Sequence, residues 1–374
     1  MNATPSFSKL TLLAAAALGL ACAGGQSGQQ ASQDTQASTA QAQIKINGAG
    51  SSFSNILYTD WMKVYQRSHP DVQLNYQSIG SGAGIKQFTD GTIDFGASDA
   101  PMTDEQIAAV HGNVLHIPTE MGGVLPTYNL AGLHGVLRFT PDVLADIYLG
   151  KITKWNDPRL VAINPSAGLP NQDIAVVHRS DASGTSFIWT DYLTKVSPEW
   201  AQKVGKGTSV NWPVGIGGKG NEGVSAQVSQ TPGSLGYVEL GYAIINKLPV
   251  ASVRNKAGNF ITPTIASVTA AAAGAMKAMG PNTDFRVSIT NADGAEAYPI
   301  SSFTWMLIHK NYQDAALAKA LVTYTWWALT AGQAKCGPLG YAPIPEQMRP
   351  WLEARLESVT AGGQPVWTGR TAMR

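Results

Sequence analysis

The stretch Arg179-Ser180-Asp181-Ala182-Ser183-Gly184-Thr185 decides how the chain is read. Before it runs Ile174-Ala175-Val176-Val177-His178, an apolar run with the character of a buried strand. After it, Ile188, Trp189, Tyr192, Leu193 and Val196 recur at helical spacing between Ser186 and Val196. The spacing predicts a strand, a tight turn and a helix. Such a turn sets an arginine, hydroxyls and a run of backbone N–H groups at the start of a helix. Unbonded N–H donors and the positive end of the helix dipole favour an anion there. Ordinary capping by Ser183 or Thr185 would use the same residues, so the weight of the reading comes from repetition elsewhere in the chain.

Two other turns repeat the chemistry. Ile44 to Asn47 reads as a strand, Gly48-Ala49-Gly50-Ser51-Ser52-Phe53 as a turn, and Phe53, Ile56, Leu57, Trp61, Val64 and Tyr65 as one face of a helix. Phe53 stands where a dinucleotide fingerprint would need its third glycine, so that motif is excluded. Val72 to Gln77 is the next strand. Ser78-Ile79-Gly80-Ser81-Gly82-Ala83-Gly84 then leads into Ile85 to Phe88. One Gly/Ser turn is a weak signal; three strand–turn–helix junctions in one chain are considerably stronger.

Between these turns, Ile93-Asp94-Phe95-Gly96-Ala97 reads as a strand that ends at Ser98, Asp99 and Pro101. Asp99 is either the N-cap of a helix over Met102 to Val110 or a lone acceptor in a pocket. Val114–Ile117 and Val124–Leu130 are separate strand candidates, with a crossing between domains near Pro118 and Gly122-Gly123. Pro141–Leu149 and Ala315–Leu329 are helical, Phe303–Ile308 is a strand, and Ala266–Met279 is an alanine-rich surface helix. Trp212–Gly223 fails as a phosphate-binding P-loop, because Gly220 follows Lys219 where a Ser or Thr should hold the metal; it reads as a turn-rich loop. Alternating strands and helices predict an α/β fold with mostly parallel, mixed sheets flanked by helices. Ligands in such folds bind beyond the carboxyl ends of the strands, where these turns lie.

Composition sets limits. With 374 residues there is room for two sizeable cores, and a net charge of +1 with 14% charged residues gives no basis for a nucleic-acid partner. The six histidines (69, 111, 116, 134, 178, 309) form no pair at ligand spacing, so neither a metal site nor a cofactor is expected. Residues 1–22 read as an export signal, with Lys9 ahead of the apolar run Leu10–Leu20, too short to span a bilayer. Leu18-Gly19-Leu20-Ala21-Cys22 resembles a bacterial lipobox, which would leave Cys22 lipidated; Ala21-Cys22-Ala23 also suits ordinary secretory cleavage. Residues 23–43, rich in Gln, Ser, Ala and Gly, read as a flexible tether, and a tether favours the anchored form.

Four stretches together, Gly48 to Phe53, Ser78 to Gly82, Asp94 to Pro101 and Arg179 to Thr185, resemble the ligand motifs of the periplasmic phosphate-binding proteins of bacterial phosphate ABC transporters. Asp146-Ile147-Tyr148-Leu149-Gly150-Lys151-Ile152 and Leu339-Gly340-Tyr341-Ala342-Pro343 are similar to that family too, in the family's order. The resemblance runs from about Ile44 to near the C-terminus. It implies a two-lobed clamshell of type II, with lobe 1 formed by 44–120 and 296–374 and lobe 2, 121–295, inserted in it. It further implies a non-enzymatic receptor in the periplasm, with inorganic phosphate as ligand and the transmembrane subunits and cytoplasmic ATPase of an ABC permease as partners. Residue by residue, it makes Ser52 and Phe53 donors through hydroxyl and backbone N–H, and Ser81 a donor from the second turn. Asp99 becomes an acceptor, Arg179 a guanidinium donor, Ser183, Gly184 and Thr185 the closing turn, and Asp181 the partner that holds Arg179. Ser52 departs from the threonine often found there, although a hydroxyl remains.

The expected chemistry is consistent. A phosphate group carries about −1.5 to −2 charge, so one arginine does not neutralise it and neutral donors must complete the cage. Charge-assisted hydrogen bonds of about 1.5–3 kcal/mol each sum to the roughly −8 kcal/mol of micromolar binding or better. Asp99 sets selectivity, because phosphate keeps a proton to donate to it and sulfate does not. Two other classes compete: a receptor for sulfate or molybdate, against which Asp99 argues, and a hydrolase with Ser183 as nucleophile. The second lacks the Gly-x-Ser-x-Gly setting, and its nearest base candidate, His178, ends a strand.

Overall fold

The computed structural model describes residues 43–369; the export signal, Cys22 and all but the last residue of the predicted tether lie outside them. One mixed eight-stranded sheet organises the fold, with strands in the spatial order Val72–Ser78, Ile44–Gly50, Phe95–Ser98, Ser301–Ile308, Leu115–Tyr128, Ser234–Glu239, Ala175–Arg179, Ile216–Gly218. Pairing is parallel at its two ends and antiparallel in the middle, where Ser301–Ile308 and Leu115–Tyr128 sit. Parallel strands come from strand–helix–strand units, whose helices cover the sheet faces.

Leu115–Tyr128 joins the two halves. It pairs with Ser301–Ile308 over Leu115 to Gly123 and with Ser234–Glu239 over Val124 to Tyr128. The chain leaves the first half inside this strand and returns to it with Ser301–Ile308. A single 14-residue strand therefore replaces the two predicted ones. Pro118 does not break it: Trp305 pairs with Pro118 and Thr304 with Glu120, so Thr119 is an extra residue bulged out of this strand and the ladder is locally interrupted next to the proline. Every residue of the strand is buried. Both faces are covered, so no polar alternation marks it in the sequence.

Several local expectations need correction. The helix after Pro101 is Asp104–Ala109, capped by Thr103 in a reciprocal capping box with Gln106, so Asp99 is not its cap. Trp212–Gly223 is not simply a loop: it contains the strand Ile216–Gly218 and the first turn of the helix Gly220–Gln230. The alanine-rich helix is Ile265–Ala275, ending before the expected Met279; it lies at the surface as expected, with Val268, Ala271 and Ala272 on its buried face and Ala266, Thr269 and Ala273 exposed. The helix Asn55–Ser68 buries Leu57, Tyr58, Trp61, Met62 and Tyr65, a face turned slightly from the predicted one, with Phe53 buried ahead of its first turn. The strand Ala175–Arg179 and the helices Gly184–Val196 and Ala315–Leu329 agree with expectation. Among the described residues no helix is long and apolar enough to cross a membrane. Cys336 is a free, buried thiol.

Candidate functional site

Four strands of the sheet run straight into short turns and helices at their carboxyl ends. Ile44–Gly50 leads through Ser51–Ser54 to Asn55–Ser68, and Val72–Ser78 leads to Ser81–Thr89. Ala175–Arg179 leads to Gly184–Val196, and Ile216–Gly218 to Gly220–Gln230. The first two belong to one half of the sheet and the last two to the other. The halves meet at these turns. Gly82 N donates to Ala182 O at 2.9 Å, and a Cβ added at Gly82 would stand 2.4 Å from the Ala182 Cβ.

Asp99 follows the strand Phe95–Ser98 and is almost wholly buried. Its Oδ1 accepts from Ser51 Oγ at 2.5 Å and from Thr304 Oγ1 at 2.8 Å. Its Oδ2 receives only a long bond from Ser81 Oγ, 3.4 Å, so that oxygen keeps accepting capacity. Burial pushes the Asp99 pKa up to about 6, against the hydroxyls and the positive charge of Arg179, which pull it down. At neutral pH the group is an acceptor.

Arg179, also buried, is held by Asp181 through a bidentate pair, Nε to Oδ1 at 2.8 Å and Nη2 to Oδ2 at 2.6 Å. Nη1 donates to Thr185 Oγ1 at 3.2 Å. Of the five guanidinium N–H groups these bonds commit three, which leaves two for a ligand. Asp181 also accepts from Gly220 N at 3.0 Å, which ties the arginine to the fourth turn. Burial raises the Asp181 pKa, but the Arg179 bonds outweigh it and the net shift is downward.

Ser183 is the N-cap of its helix, accepting from Ser186 N at 3.0 Å. Capping uses an acceptor lone pair and leaves the hydroxyl proton to donate, so the cap and the anion-site readings are compatible. Gly184 and Thr185 follow in the first turn, whose N–H groups have no acceptor within the helix. Ser81 opens its own helix, and Ser52 and Phe53 lie just before Asn55–Ser68. All eight residues expected to touch the ligand thus lie in the turns or strand ends that meet, with Asp181 beside them. His178 takes no part. Its ring stacks on Trp212 with centroids 4.9 Å apart and its Nδ1 lies 3.0 Å from Arg179 O, so it does not serve Ser183 as a base.

Sequence reasoning missed Asn221. Its Oδ1 accepts from Glu239 N at 3.0 Å, which orients the amide so that Nδ2 donates to Ser52 Oγ at 2.9 Å and to Thr185 Oγ1 at 3.1 Å. The Asn221 N–H adds a second bond to Ser52 at 3.2 Å. With lone pairs so occupied, each hydroxyl can only donate onward. Ser51 and Thr304, which hold Asp99, were missed as well. The only sequence signal for Asn221 is its place after a glycine-rich stretch whose pattern is that of a loop.

Comparison with known proteins gives the family. The PBP superfamily domain matches residues 31–326. The phosphate-binding protein PstS of Xylella fastidiosa strain 9a5c is 45% identical over 312 residues, 83% of this chain and 84% of its own length. The phosphate-binding protein PstS of Pasteurella multocida is 44% identical over 338 residues, 89% of this chain and 96% of its own. The crystal structure of the phosphate binding protein from Stenotrophomonas maltophilia shares the fold with a TM-score of 0.64 at 18% identity, covering 84% of this chain and 94% of that one. The long strand that splits one sheet into two halves is thus the spine of a two-lobed α/β fold, and the chain belongs to the PstS family of the PBP superfamily.

Proposed function

We propose that the chain binds inorganic phosphate outside the cytoplasmic membrane and delivers it to an ABC-type phosphate permease, without chemical change to the ligand. The observation that carries this reading is the pairing of one buried carboxylate acceptor, Asp99, with a cage made otherwise of donors. Ser52, Phe53, Ser81, Arg179, Ser183, Gly184 and Thr185 supply hydroxyls, backbone N–H groups and a guanidinium with two N–H groups to spare. A protonated oxyanion satisfies both halves of that set. A fully deprotonated one would face Asp99 lone pair to lone pair. The relatives named for phosphate binding support the same ligand.

The lobes of this reading are 44–120 with 296–374, and 121–295. Their turns meet on the anion, and the permease, with its cytoplasmic ATPase, recognises the loaded form. Lipidation at Cys22 would hold the protein at the membrane; without it the same domain works free in the periplasm. Mass spectrometry of the mature protein distinguishes the two, since an N-terminus beyond residue 22 without acyl chains removes the anchor. For the ligand, the protein freed of carried-over anion is titrated with phosphate, arsenate and sulfate by calorimetry. Phosphate and arsenate, which both keep a proton, should bind, and sulfate should bind far more weakly. Equal affinity for sulfate would overturn the assignment.

A further inference from the structure

The line of side chains that supports Asp99 does not stop at Thr304. In the pairing of Ser301–Ile308 with Leu115–Tyr128, Thr304 stands opposite Glu120, and directly opposed residues project from the same face. On its other side Ser301–Ile308 pairs with Phe95–Ser98, with Trp305 opposite Ser98, which brings Asp99 beside Thr304. Asp99, Thr304 and Glu120 therefore form one row across two strands and the residue just past the end of a third. Glu120 is fully buried, and among the described residues neither of its oxygens completes a hydrogen bond and no basic side chain pairs with it. The hydroxyls of Ser54, Thr119 and Thr304 surround it, and the buried Ser54 Oγ likewise has no hydrogen-bond partner among the described residues.

Thr304 has one hydroxyl proton, and Asp99 takes it. Towards Glu120 that hydroxyl offers only lone pairs, which suit a carboxylic acid and oppose a carboxylate. The titratable groups that face Glu120 are acids too: Asp99, Tyr58 from Asn55–Ser68, Tyr76 from the edge strand, Tyr324 from Ala315–Leu329, and Cys336 and Tyr341 beyond that helix. Burial pushes the Glu120 pKa up to about 8, with the Ser54 and Thr119 hydroxyls opposing the rise and the Asp99 charge adding to it.

We propose that Glu120 is a positioning residue for the Asp99 acceptor: un-ionised, it holds Thr304 as a donor to Asp99, and ionised, it weakens binding of a doubly charged oxyanion. This inference rests on the phosphate reading of the site. A bound dianion adds negative charge near the row and holds Glu120 protonated. Where the free protein has lost that proton, binding takes one up from solvent onto the Glu120 carboxylate.

Calorimetric titration with inorganic phosphate tests this on the wild type and Glu120→Gln between about pH 7 and pH 9.5, in paired buffers of different ionisation enthalpy. Each protein is normalised to its own affinity near pH 7, and phosphate's own titration is common to both. Above about pH 8 the wild type should weaken by up to about tenfold per pH unit with proton uptake on binding, and Glu120→Gln should do neither. Parallel pH profiles with tight binding would overturn the role of Glu120 and leave the phosphate reading intact. Failure of the wild type to bind phosphate near pH 7 would sink both. Should the variant not fold, absence of proton uptake by the wild type above pH 8 is itself the overturning result.

Discussion

Gly184 lies against Asp99 with no room for a side chain: a Cβ built on it would fall 2.5 Å from Asp99 Oδ2 and 2.3 Å from Ser81 Oγ. The contact joins the two halves of the sheet at the one carboxylate oxygen that retains accepting capacity. A methyl group there would push the turns apart. Gly184→Ala should therefore weaken phosphate binding by about tenfold or more, roughly 1.4 kcal/mol, with little change in the melting temperature of the ligand-free protein. Gly280→Ala, where a Cβ meets nothing within 4 Å, is the control. Equal binding by the two variants would show that the turns need not touch.

Asp99→Asn keeps the shape of the acceptor and gives it a donor face. Phosphate would lose the partner for its proton, while sulfate would lose a repulsion. The ratio of phosphate to sulfate affinity should narrow by roughly one to two orders of magnitude, in line with the 1–3 kcal/mol of an unmatched buried polar group. Competition calorimetry reads it directly, and an unchanged ratio would remove Asp99 from selectivity.

Asn221→Ala deletes the donor shared by Ser52 and Thr185, so both hydroxyls regain rotational freedom and can turn their protons away from the ligand. A loss of about tenfold to a hundredfold in phosphate affinity is expected. Asn221→Asp should cost more, since it replaces a donor by a negative charge beside an anion. If Asp binds as well as Asn, the amide does not orient the hydroxyls.

The residues legible in the sequence are those whose role is local. Arg179, Asp181, Ser183, Gly184 and Thr185 lie within seven consecutive positions, and strand period, turn glycine and helix spacing mark them together. Ser81 and Ser52 are legible for the same reason, each lying in a Gly/Ser turn between a strand and a helix. Thr304, Glu120 and Asn221 act through strand register or across the cleft, at separations such as the 205 residues between Thr304 and Asp99. No window of sequence holds both partners. The uninterrupted run of Leu115–Tyr128 is hidden for a related reason: Pro118 and Gly122-Gly123 signal a break locally, and only the bulge at Thr119 and the packing of Phe53 over Gly122 make them tolerable.

Arg179→Lys keeps the charge but cannot form the bidentate pair with Asp181 and reach Thr185 at once. Phosphate affinity should fall by at least about tenfold, because a lysine is a mobile point charge where the cage needs fixed N–H vectors. Asp181→Asn should fall less, since the guanidinium keeps its charge and its Thr185 contact. The reverse order in a titration series would mean that charge alone, and not orientation, holds the anion.

The buried carboxyls also predict how the ligand-free protein responds to pH. Burial raises Asp99 from 3.8 to about 6 and Glu120 from 4.5 to about 8. A carboxyl whose pKa is raised on folding binds its proton more tightly in the folded state. Its contribution to stability is complete below the unfolded value and is lost as pH climbs through the folded one. For Glu120 that window runs from about pH 4.5 to about pH 8, since above it the folded chain must bury a carboxylate with no cation beside it among the described residues. Glu120→Gln cannot ionise, so its melting temperature relative to the wild type should rise across that window and level off above it. At about 1.4 kcal/mol per pKa unit, even part of the shift moves the midpoint by several degrees. The comparison cancels the opposing carboxylates common to both proteins, Asp181 and Asp191 among them, whose pKa values are lowered by their cation partners. A difference in melting temperature that stays flat from pH 4.5 to pH 8 would show that Glu120 is already ionised in the folded protein, and the row from Glu120 through Thr304 to Asp99 would then have to be drawn the other way.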